Sequence, residues 1–254
     1  QNVLWRSGDD VRIDWGYFYL SVAGGETYAL AREESEDGMA YVCAEACVSD
    51  SVLFTFAYDD VYSIEYFHKP LKSYWNNDGK TIETAISEAI NDYVTIKKEC
   101  DEFSLKLYND ATNSGGEEYA EILSLAYRQV IAAHKVAVDE NGEILFVSKE
   151  CFSNGCAATV DVSYPSIPLF LLYNPELVNG MLRPLIRYSR SEEWANVLKF
   201  NFAPHDVGQY PLVNGQVYGN TRIEKQMPVE ECGNMLVMEA AVAIADRDAS
   251  FAAS

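Results

Sequence analysis

The chain has 254 residues, 48% of them hydrophobic, so it can bury a sizeable core in one large domain or two smaller ones. Its 19 Lys and Arg against 39 Asp and Glu give a net charge of -20, which repels phosphate backbones and lipid headgroups and excludes nucleic acid as an expected partner. No stretch of about 18 apolar residues occurs, so no membrane span is predicted, and we expect any signal peptide to have been removed.

The first 78 residues predict antiparallel β structure. The segments "VRIDWGYFYLSVAGG" and "MAYVCAEACVSDSVLFTFAYDDVYSIEYF" are rich in Val, Tyr, Phe and Ile, alternate in part, and are broken by Gly, Asp and Ser clusters. After the polar segment "KSYWNNDGK" the hydrophobic period changes from two toward 3.6 residues. We therefore place a domain boundary near residue 78, with a β segment over residues 1–78 and a mainly helical domain over residues 79–254.

Three amphipathic helices are predicted next. The first covers "TIETAISEAINDYVTIKKEC", and the second covers "DEFSLKLYND" after a short break. Gly115 and Gly116 precede the third, "EEYAEILSLAYRQVIAAHK". We interpret His134, at the end of this third helix, as a packed histidine rather than a ligand. The apolar stripe of the third helix consists of Ile122, Leu123, Ala126, Tyr127, Val130, Ile131 and His134.

A β-hairpin is predicted inside the helical region, in "KVAVDENGEILFVSKE". Asn141 and Gly142 would supply the positive-φ pair of a type I′ turn between two apolar strands. The hairpin is expected as an inserted β element within residues 79–254.

Prolines mark the starts of the later helical segments, at Pro165, Pro168 and Pro175. The last helix is predicted from Pro228 to about Arg247. Between them, "FNFAPHDVGQYPLVNGQVYGN" has too many Gly, Pro and Asn residues for regular structure. Its aromatic residues and low charge predict a packed loop, and long ordered loops often carry function.

The cysteines and histidines do not form a disulfide scaffold or a recognisable metal motif. No CxxC pair occurs, so buried free thiols are expected. One short disulfide, either Cys43–Cys47 or Cys151–Cys156, stays an alternative. With three histidines and no HExxH motif, the sequence predicts no histidine-rich catalytic metal site. The residues are Cys43, Cys47, Cys100, Cys151, Cys156 and Cys232, and His68, His134 and His205.

Two adjacent acids open the last helix. Glu230 and Glu231 lie in its first turn, where the positive end of the helix dipole stabilises carboxylates, so a helix-starting role is enough to explain them. Asn234 lies one turn further on and can share a face with a Glu, and the small Gly233 allows a ligand to approach. A role in a site is therefore the second interpretation.

Other polar residues could join these acids. Asp161 lies in an apolar context, and His205 and Asp206 lie in the packed loop. The alternative role is capping for Asp161 and turn formation for Asp206. Carboxylates with one imidazole are sufficient for acid/base hydrolysis if the fold brings them together. Cys232 is not expected to be a nucleophile, because the neighbouring carboxylates disfavour a negative charge on its thiol.

The order of several sequence blocks resembles the glutaminase A family. The blocks span nearly the whole chain, and several are long and of unusual composition, so the resemblance is specific. They are "DDVRIDWGYFYLSVA", "DDVYSIEYF", "YWNNDGKTIE", "GGEEYAEILSLAYRQVIAAHK", "SKECFSNGCAATVDVSYPSIPLFLLYNPEL", "FAPHDVGQYPLVNGQVYG" and "MPVEECGNMLVM".

The resemblance implies an α+β multidomain protein, secreted or periplasmic. In it, an N-terminal antiparallel, β-sandwich-like region precedes an α/α toroid similar to that of six-hairpin glycosidases, here with the inserted β-hairpin. It also implies hydrolysis of L-glutamine to L-glutamate and ammonia. Because the toroid is shared with glycoside hydrolases, a six-hairpin glycosidase is the alternative, and a non-catalytic carbohydrate-binding or structural module is the third hypothesis.

Related toroids place the catalytic base near the start of a late inner helix, which favours Glu231 or Glu230. Two features depart from the family pattern. Cys232 replaces a Ser, so a hydroxyl nucleophile is not expected there, and the predicted helices are fewer than a complete toroid requires. We therefore expect the chain to be a portion of a longer protein, with the remainder of that protein as its partner. Residues 1–78 would be the C-terminal part of the β-sandwich-like domain, and residues 79–254 the first part of the α/α domain.

The expected reaction uses water as the nucleophile on a small-molecule amide or carbohydrate. No cofactor and no metal are predicted, because carboxylates and Asn could hold calcium but no ordered ligand spacing requires it. The predicted catalytic residues are Glu231, Glu230, Asp161 and Asp206. The predicted substrate-binding residues are His205, Asn234, Tyr164, Tyr210 and Asn214.

Overall fold

The computed structural model describes residues 16–23, 31–34, 40–43, 50–150 and 154–253. The chain divides into two compact units, which we describe separately. The N-terminal unit contains Asp14–Val61 and Trp75–Ala120, and the C-terminal unit contains Tyr62–Tyr74 and Glu121–Ser254. The domain boundary near residue 78 stays a prediction. Among the described helices, none is long and apolar enough to cross a membrane.

Two antiparallel strand pairs form the β structure of the N-terminal unit. β1 (Tyr17–Ala23) pairs with β4 (Leu53–Asp59), and β2 (Ala31–Glu34) pairs with β3 (Ala40–Cys43). Along "LFTFAYD" in β4, exposed and less exposed residues alternate, because successive side chains of a strand point to opposite faces. The predicted antiparallel β structure is confirmed for these ranges.

A single helix of 34 residues follows, where the sequence predicted two. α1 (Ile82–Gly115) begins after Thr81, whose hydroxyl caps the first turn. The predicted break near residue 100 is wrong, because no Gly or Pro interrupts the helix before Gly115. The ion pair between Lys97 and Asp101, one helical turn apart, spans the position of the predicted break and supports a continuous helix.

The next helix, α2 (Glu117–Ala132), is confirmed, but its apolar stripe is not buried as a whole. Gly116 separates it from α1 with a φ of +87°, a conformation that glycine adopts without steric cost. Ile122 is 68% exposed and Ile131 is 42% exposed, so the stripe was predicted too broadly. His134 does not belong to the helix, because the chain enters a strand at that residue.

The predicted β-hairpin is confirmed, with a different turn. β7 (His134–Val138) pairs antiparallel with β8 (Ile144–Ser148). Gly142 has a positive φ but Asn141 does not, so the predicted type I′ turn is wrong. Instead, the Asp139 carboxylate accepts a hydrogen bond of 2.8 Å from the Asn141 backbone N–H and stabilises a longer loop.

The hairpin packs against α5 (Glu176–Ser189) in the core of the C-terminal unit. A Cβ on Gly180 would lie 3.0 Å from the backbone nitrogen of Phe146 and 3.1 Å from the carbonyl oxygen of Ile144, so this approach requires glycine. The Arg183 guanidinium donates a 2.7 Å hydrogen bond to the same Ile144 carbonyl. The core residues with no exposed surface around this contact are Leu145, Val147, Val178, Leu182 and Leu185.

The later helical segments begin where the prolines predict. Each of Pro165, Pro168, Pro175 and Pro228 lies at or beside the first residue of a helical segment, so these predictions are confirmed. The remaining helices are α3 (Val160–Ser163), α4 (Ile167–Tyr173), α6 (Pro228–Asp246) and α7 (Ser250–Ala253).

The segment between residues 199 and 227 is a packed loop, as predicted, and residues 204–208 within it are buried. A π-helical turn before it buries Trp194, whose indole N–H donates a 2.7 Å hydrogen bond to the Phe202 carbonyl and so anchors the loop. The loop also contributes one strand to a small sheet. This sheet consists of β5 (Ile64–Tyr66), the antiparallel β6 (Lys69–Leu71) and the parallel β9 (Leu212–Val213).

Candidate active site

Four side chains from separate segments converge in the C-terminal unit. Asp161 comes from α3, His205 and Asp206 from the packed loop, and Glu231 from the first turn of α6. The backbone N–H of Val160 donates to the His205 carbonyl at 2.9 Å and holds α3 against the loop. Side-chain oxygens or nitrogens of Asp161, His205 and Glu231 lie within 4.8 Å of one another. Three of the four predicted catalytic acids therefore surround one imidazole.

Asp206 fixes both the loop and the imidazole. The residue is fully buried, and its Oδ1 accepts hydrogen bonds of 3.0 Å from the backbone N–H groups of Gly208 and Val217. Its Oδ2 accepts from the Tyr218 backbone N–H at 3.1 Å and from His205 Nδ1 at 3.0 Å. The side chain thus accepts from four donors, which hold it rigidly in place, so Asp206 is suited to orienting His205.

His205 is held between an aromatic ring and carboxylates. Its ring stacks on Tyr218 with centroids 4.0 Å apart, and its Nε2 lies 3.8 Å from Asp161 Oδ1. Burial opposes a charge on the imidazole, but the hydrogen bond and charge of Asp206, followed by the charges of Asp161 and Glu231, outweigh it and raise the pKa of His205. The cluster therefore favours an imidazolium that points Nε2–H toward Asp161.

Glu231 is a buried carboxyl group without hydrogen-bond partners. The residue is 1% exposed, and neither of its carboxyl oxygens has a hydrogen-bond partner among the described residues. Burial raises the pKa of Glu231 to about 7, and the charge of Asp161 adds to this, while His205 and the nearby Asn234 amide act in the opposite direction. Glu231 can therefore give or take a proton near neutral pH.

The other predicted site residues lie at varying distances from this cluster. Glu230 is exposed on the first turn of α6 and is not among the residues that face His205. Asn234 lies on α6 near the Glu231 carboxyl group, as the helical spacing predicts. Tyr164 lies half-buried in the turn after α3, and its role in binding substrate stays a prediction.

Tyr210 and Asn214 are bonded to other parts of the C-terminal unit. The Tyr210 hydroxyl donates to the Ser63 carbonyl at 3.3 Å. The Asn214 amide donates to Glu65 Oε1 at 2.7 Å, and its oxygen accepts from the His68 backbone N–H at 2.8 Å. These contacts hold the loop against β5 and its turn, and their roles in substrate binding stay predictions.

Sequence reasoning assigned no role to several residues beside the cluster. Gln216 accepts a 2.7 Å hydrogen bond from the His205 backbone N–H, and Tyr218 stacks on the imidazole. Glu150 follows β8, and burial, with the charge of Asp161, raises its pKa. An isolated Glu after a strand gives no local signal, whereas Gln216 and Tyr218 lie in the loop that composition had already singled out.

Cys100, Cys156 and Cys232 are free thiols. Cys156 is buried beside His205 and Asp206, and burial raises its pKa. Cys232 accepts a hydrogen bond from the Ala203 backbone N–H at 3.2 Å and lines a separate cavity of about 370 Å³, consistent with a packing role. Cys47 and Cys151, each one half of a bridge that the sequence left open, lie outside the described residues.

The C-terminal unit is a mainly helical domain that holds a buried carboxylate–imidazole cluster, and this combination defines its class. Residues 116–254 match the glutaminase A six helical-hairpin domain, and residues 33–110 match a domain of unknown function, DUF5127. The chain therefore belongs to the glutaminase A family, and the resemblance found in the sequence blocks is confirmed.

Two fungal proteins are similar to the chain. Glutaminase A of Aspergillus oryzae is 32% identical over 206 residues, which cover 79% of this chain and 29% of that protein. A probable glutaminase of Arthroderma benhamiae is 32% identical over 196 residues, which cover 75% of this chain and 22% of that protein. The chain thus spans less than a third of the length of these relatives. No solved structure matches it.

Proposed function

We propose that the cluster of Asp161, His205, Asp206 and Glu231 is the acid/base centre of a glutaminase-like hydrolase that converts L-glutamine to L-glutamate and ammonia. The names of the similar fungal proteins support this substrate. The single observation that carries the proposal is the buried carboxyl group of Glu231, whose pKa of about 7 suits proton transfer in both directions at neutral pH.

The proposed reaction begins with water. Ionised Glu231 takes a proton from the water, whose oxygen attacks the side-chain amide carbon of glutamine. When the C–N bond breaks, protonated Glu231 returns the proton to the leaving nitrogen, which departs as ammonia. One group near neutral pKa can perform both transfers, and such catalysis typically contributes about 10²–10⁴-fold in rate.

His205 and its partners handle the negative charge that develops on the amide oxygen. An imidazolium held by Asp206 presents Nε2–H as a preorganised donor for that oxygen. Asp161, 3.8 Å from Nε2, keeps the imidazole charged and orients it, and Asn234 holds the substrate beside Glu231. The exposed Glu230 has no part in this chemistry.

The test is Glu231→Gln in the full-length protein, with Glu230→Gln as the matched neighbour. We expect kcat for glutamine to fall by about 100-fold or more in Glu231→Gln, because the base is lost while the side chain keeps its shape. Glu230→Gln should lose far less. Circular dichroism verifies that both variants fold. Equal kcat values for Glu231→Gln and the unchanged protein would remove Glu231 from the mechanism.

A second candidate is a six-hairpin glycoside hydrolase. Asp161 and Glu231 have side-chain oxygens within 4.8 Å of each other, and retaining glycosidases place their two carboxyl groups about 5–5.5 Å apart. Assaying ammonia release from glutamine and sugar release from a glycan panel separates the two functions. The same short separation gives no support to a non-catalytic module, a hypothesis that acids more than about 10 Å apart would favour.

The architecture of the longer protein is also part of the proposal. We propose that the helices of residues 116–254 contribute hairpins to an α/α toroid, and that the strands of the N-terminal unit belong to a sandwich-like domain that ends near residue 78. The match to a six helical-hairpin domain supports the toroid. A secreted or periplasmic location completes the proposal, and cell fractionation tests it.

A further inference from the structure

Asp161, His205 and Glu231 also have the composition of a metal site. Their ligand atoms, two carboxylate oxygens and one imidazole nitrogen, lie within 4.8 Å of one another. We propose that these three residues bind a divalent transition-metal ion of the Zn²⁺ class. Imidazole together with carboxylates suits zinc, whereas calcium selects oxygen ligands alone. No local motif reveals this set, because its members are separated by 44 and 26 positions in the chain.

Buried oxygens without partners point to a missing ligand. Both oxygens of Glu231, a residue that is 1% exposed, have no hydrogen-bond partner, and neither has Asp161 Oδ1. Leaving buried charged oxygens unsatisfied costs free energy, so native structures pair such groups or place them on metals. A cation between Asp161 and Glu231 would satisfy Asp161 Oδ1 and one oxygen of Glu231.

Asp206 prepares His205 to be a ligand. The Nδ1–H of His205 donates to Asp206 Oδ2 at 3.0 Å, which leaves Nε2 as the coordinating nitrogen on the side of Asp161. Histidines that bind metals almost always donate their second ring N–H to a carboxylate or carbonyl in this way. Asp206 is therefore a positioning residue for the metal ligand His205.

The ligand atoms must move closer together around the ion. His205 Nε2 and Asp161 Oδ1 are 3.8 Å apart, and the Glu231 oxygen lies within 4.8 Å of both. Two ligands at about 2.0–2.2 Å from a tetrahedral zinc ion lie about 3.3–3.6 Å apart, so the first pair needs a shift of a few tenths of an ångström and Glu231 a movement of up to about 1.5 Å. The Asp161 side chain is 35% exposed, which leaves a side of the site open to water as the fourth ligand.

The charge of the cluster favours a dication. Asp161, Asp206 and Glu231 surround a single imidazole, and within the described part of the chain no Lys or Arg forms an ion pair with any of the three. Zn²⁺ would neutralise charge that the imidazole alone does not balance.

A competing set, Cys156, His205 and Asp206, shares the imidazole but fits a metal less well. In that set the metal would bind Nδ1, whose proton already goes to Asp206. Asp206 also accepts from three backbone N–H groups, so its lone pairs are occupied. Coordination by Nδ1 would break the hydrogen bond between His205 and Asp206 and would compete with the backbone donors of Asp206, whereas among the described residues no hydrogen bond to the ligand atoms of the first set is present.

The metal site uses the side chains of the proposed hydrolysis in another state, because Zn²⁺ would replace the Nε2 proton of His205 and bind the Glu231 carboxylate, so neither group could act as the free donor or base while the metal is bound. Binding of the metal does not depend on which bond is cleaved. Its test therefore measures binding without substrate: the protein, stripped with a chelator, is dialysed against Zn²⁺ alone. We expect one Zn²⁺ per chain, retained in Glu230→Gln and weakened about 100-fold or more in Glu231→Gln and Asp161→Asn. Absence of stoichiometric Zn²⁺, or equal affinity in Glu231→Gln and Glu230→Gln, would overturn the proposal.

Two more variants distinguish the ligand sets. Asp206→Asn should weaken Zn²⁺ by about 10–100-fold without removing a ligand, which is the usual effect of losing the carboxylate behind a metal-bound histidine. Cys156→Ser should bind Zn²⁺ as the unchanged protein does, and loss of binding in this variant would assign the metal to the competing set and overturn the proposal. Visible absorption of the Co²⁺-loaded protein should shift with Glu231→Gln and not with Cys156→Ser.

Discussion

Two buried histidines show how neighbours decide the charge of an imidazole. His134 stacks on Phe146 with ring centroids 4.3 Å apart, and burial lowers its pKa to about 4. The hydrogen bond to the Val130 carbonyl acts in the opposite direction, and the charge of Lys149 adds to the lowering. Around His205 the surrounding carboxylates outweigh burial and raise the pKa. His134 is thus packed, as the sequence predicts, and its environment favours the neutral form, while the carboxylates around His205 favour the protonated form.

Replacing His134 with Phe should remove a pH-dependent part of stability. The folded pKa of about 4 lies below the ordinary value of 6.5, so between these values the unfolded chain binds the extra proton and stability rises with pH. The full span is about 3 kcal/mol, and the contribution is constant above pH 6.5. In urea unfolding between about pH 4 and pH 7, the unchanged protein should gain stability more steeply than His134→Phe. Parallel pH profiles would contradict the prediction.

At the scale of elements, two helical glycines occupy opposite environments. Gly180 in α5 faces the backbone of β8 so closely that a methyl group would meet the Phe146 nitrogen at 3.0 Å. Gly233 in α6 has open space, and a methyl group there would meet no atom within 4 Å outside its own stretch of helix. The first glycine permits a contact between elements, and the second only lowers helix propensity.

The same substitution should therefore have opposite effects at the two positions. Gly180→Ala should destabilise the protein by about 1–3 kcal/mol, because α5 must move away from β8. Gly233→Ala should stabilise it by about 0.5–1 kcal/mol through helix propensity alone. Thermal or urea unfolding of both variants measures the difference. Destabilisation of similar size in both would show that the close packing of α5 on β8 is not the cause.

Elements differ in how far the sequence reveals them. The start of α6 was predictable because Pro228 and two acids suit a first helical turn, and the same reasoning placed Glu231 correctly along the helix. The break predicted within α1 was wrong. The apolar pattern changes near residue 100, but no Gly or Pro stops the helix there, so it continues. The turn after β7 was mispredicted because the side chain of Asp139, rather than the Asn-Gly pair, determines it.

The sequence named four residues that the fold brings together, but not their bonding, and it also named Glu230, which does not face His205. Local patterns identified Glu231, Asp161 and the His205-Asp206 pair one by one. The four donors around Asp206 come from residues up to 12 positions away in a loop without regular structure, and no period in the sequence encodes them. The partnerless oxygens of Glu231 are likewise a property of packing, which only three dimensions reveal.

At the scale of the whole molecule, charge is the dominant feature. The net charge of -20 makes the compact state repel itself, and buried carboxylates in the candidate site add to that cost. Salt reduces repulsion between exposed charges once the Debye length falls to about 10 Å, near 0.1 M ionic strength.

Stability should therefore rise with salt at neutral pH. Increasing NaCl from about 0.01 to 0.2 M at pH 7 should raise the thermal midpoint, because the screening length falls from about 30 Å to below 10 Å. Near pH 4.4, the isoelectric point of the sequence, the net charge vanishes and the same increase in salt should have little effect. An equal gain at both pH values would indicate that general salt effects, not self-repulsion, are responsible.

The Asp206 carboxylate couples the shape of the loop to the orientation of the imidazole. Three of its bonds order the loop backbone and the fourth aligns the imidazole, so the loop cannot change shape while His205 keeps its orientation. We therefore expect disorder in the loop and loss of the imidazole orientation to occur together.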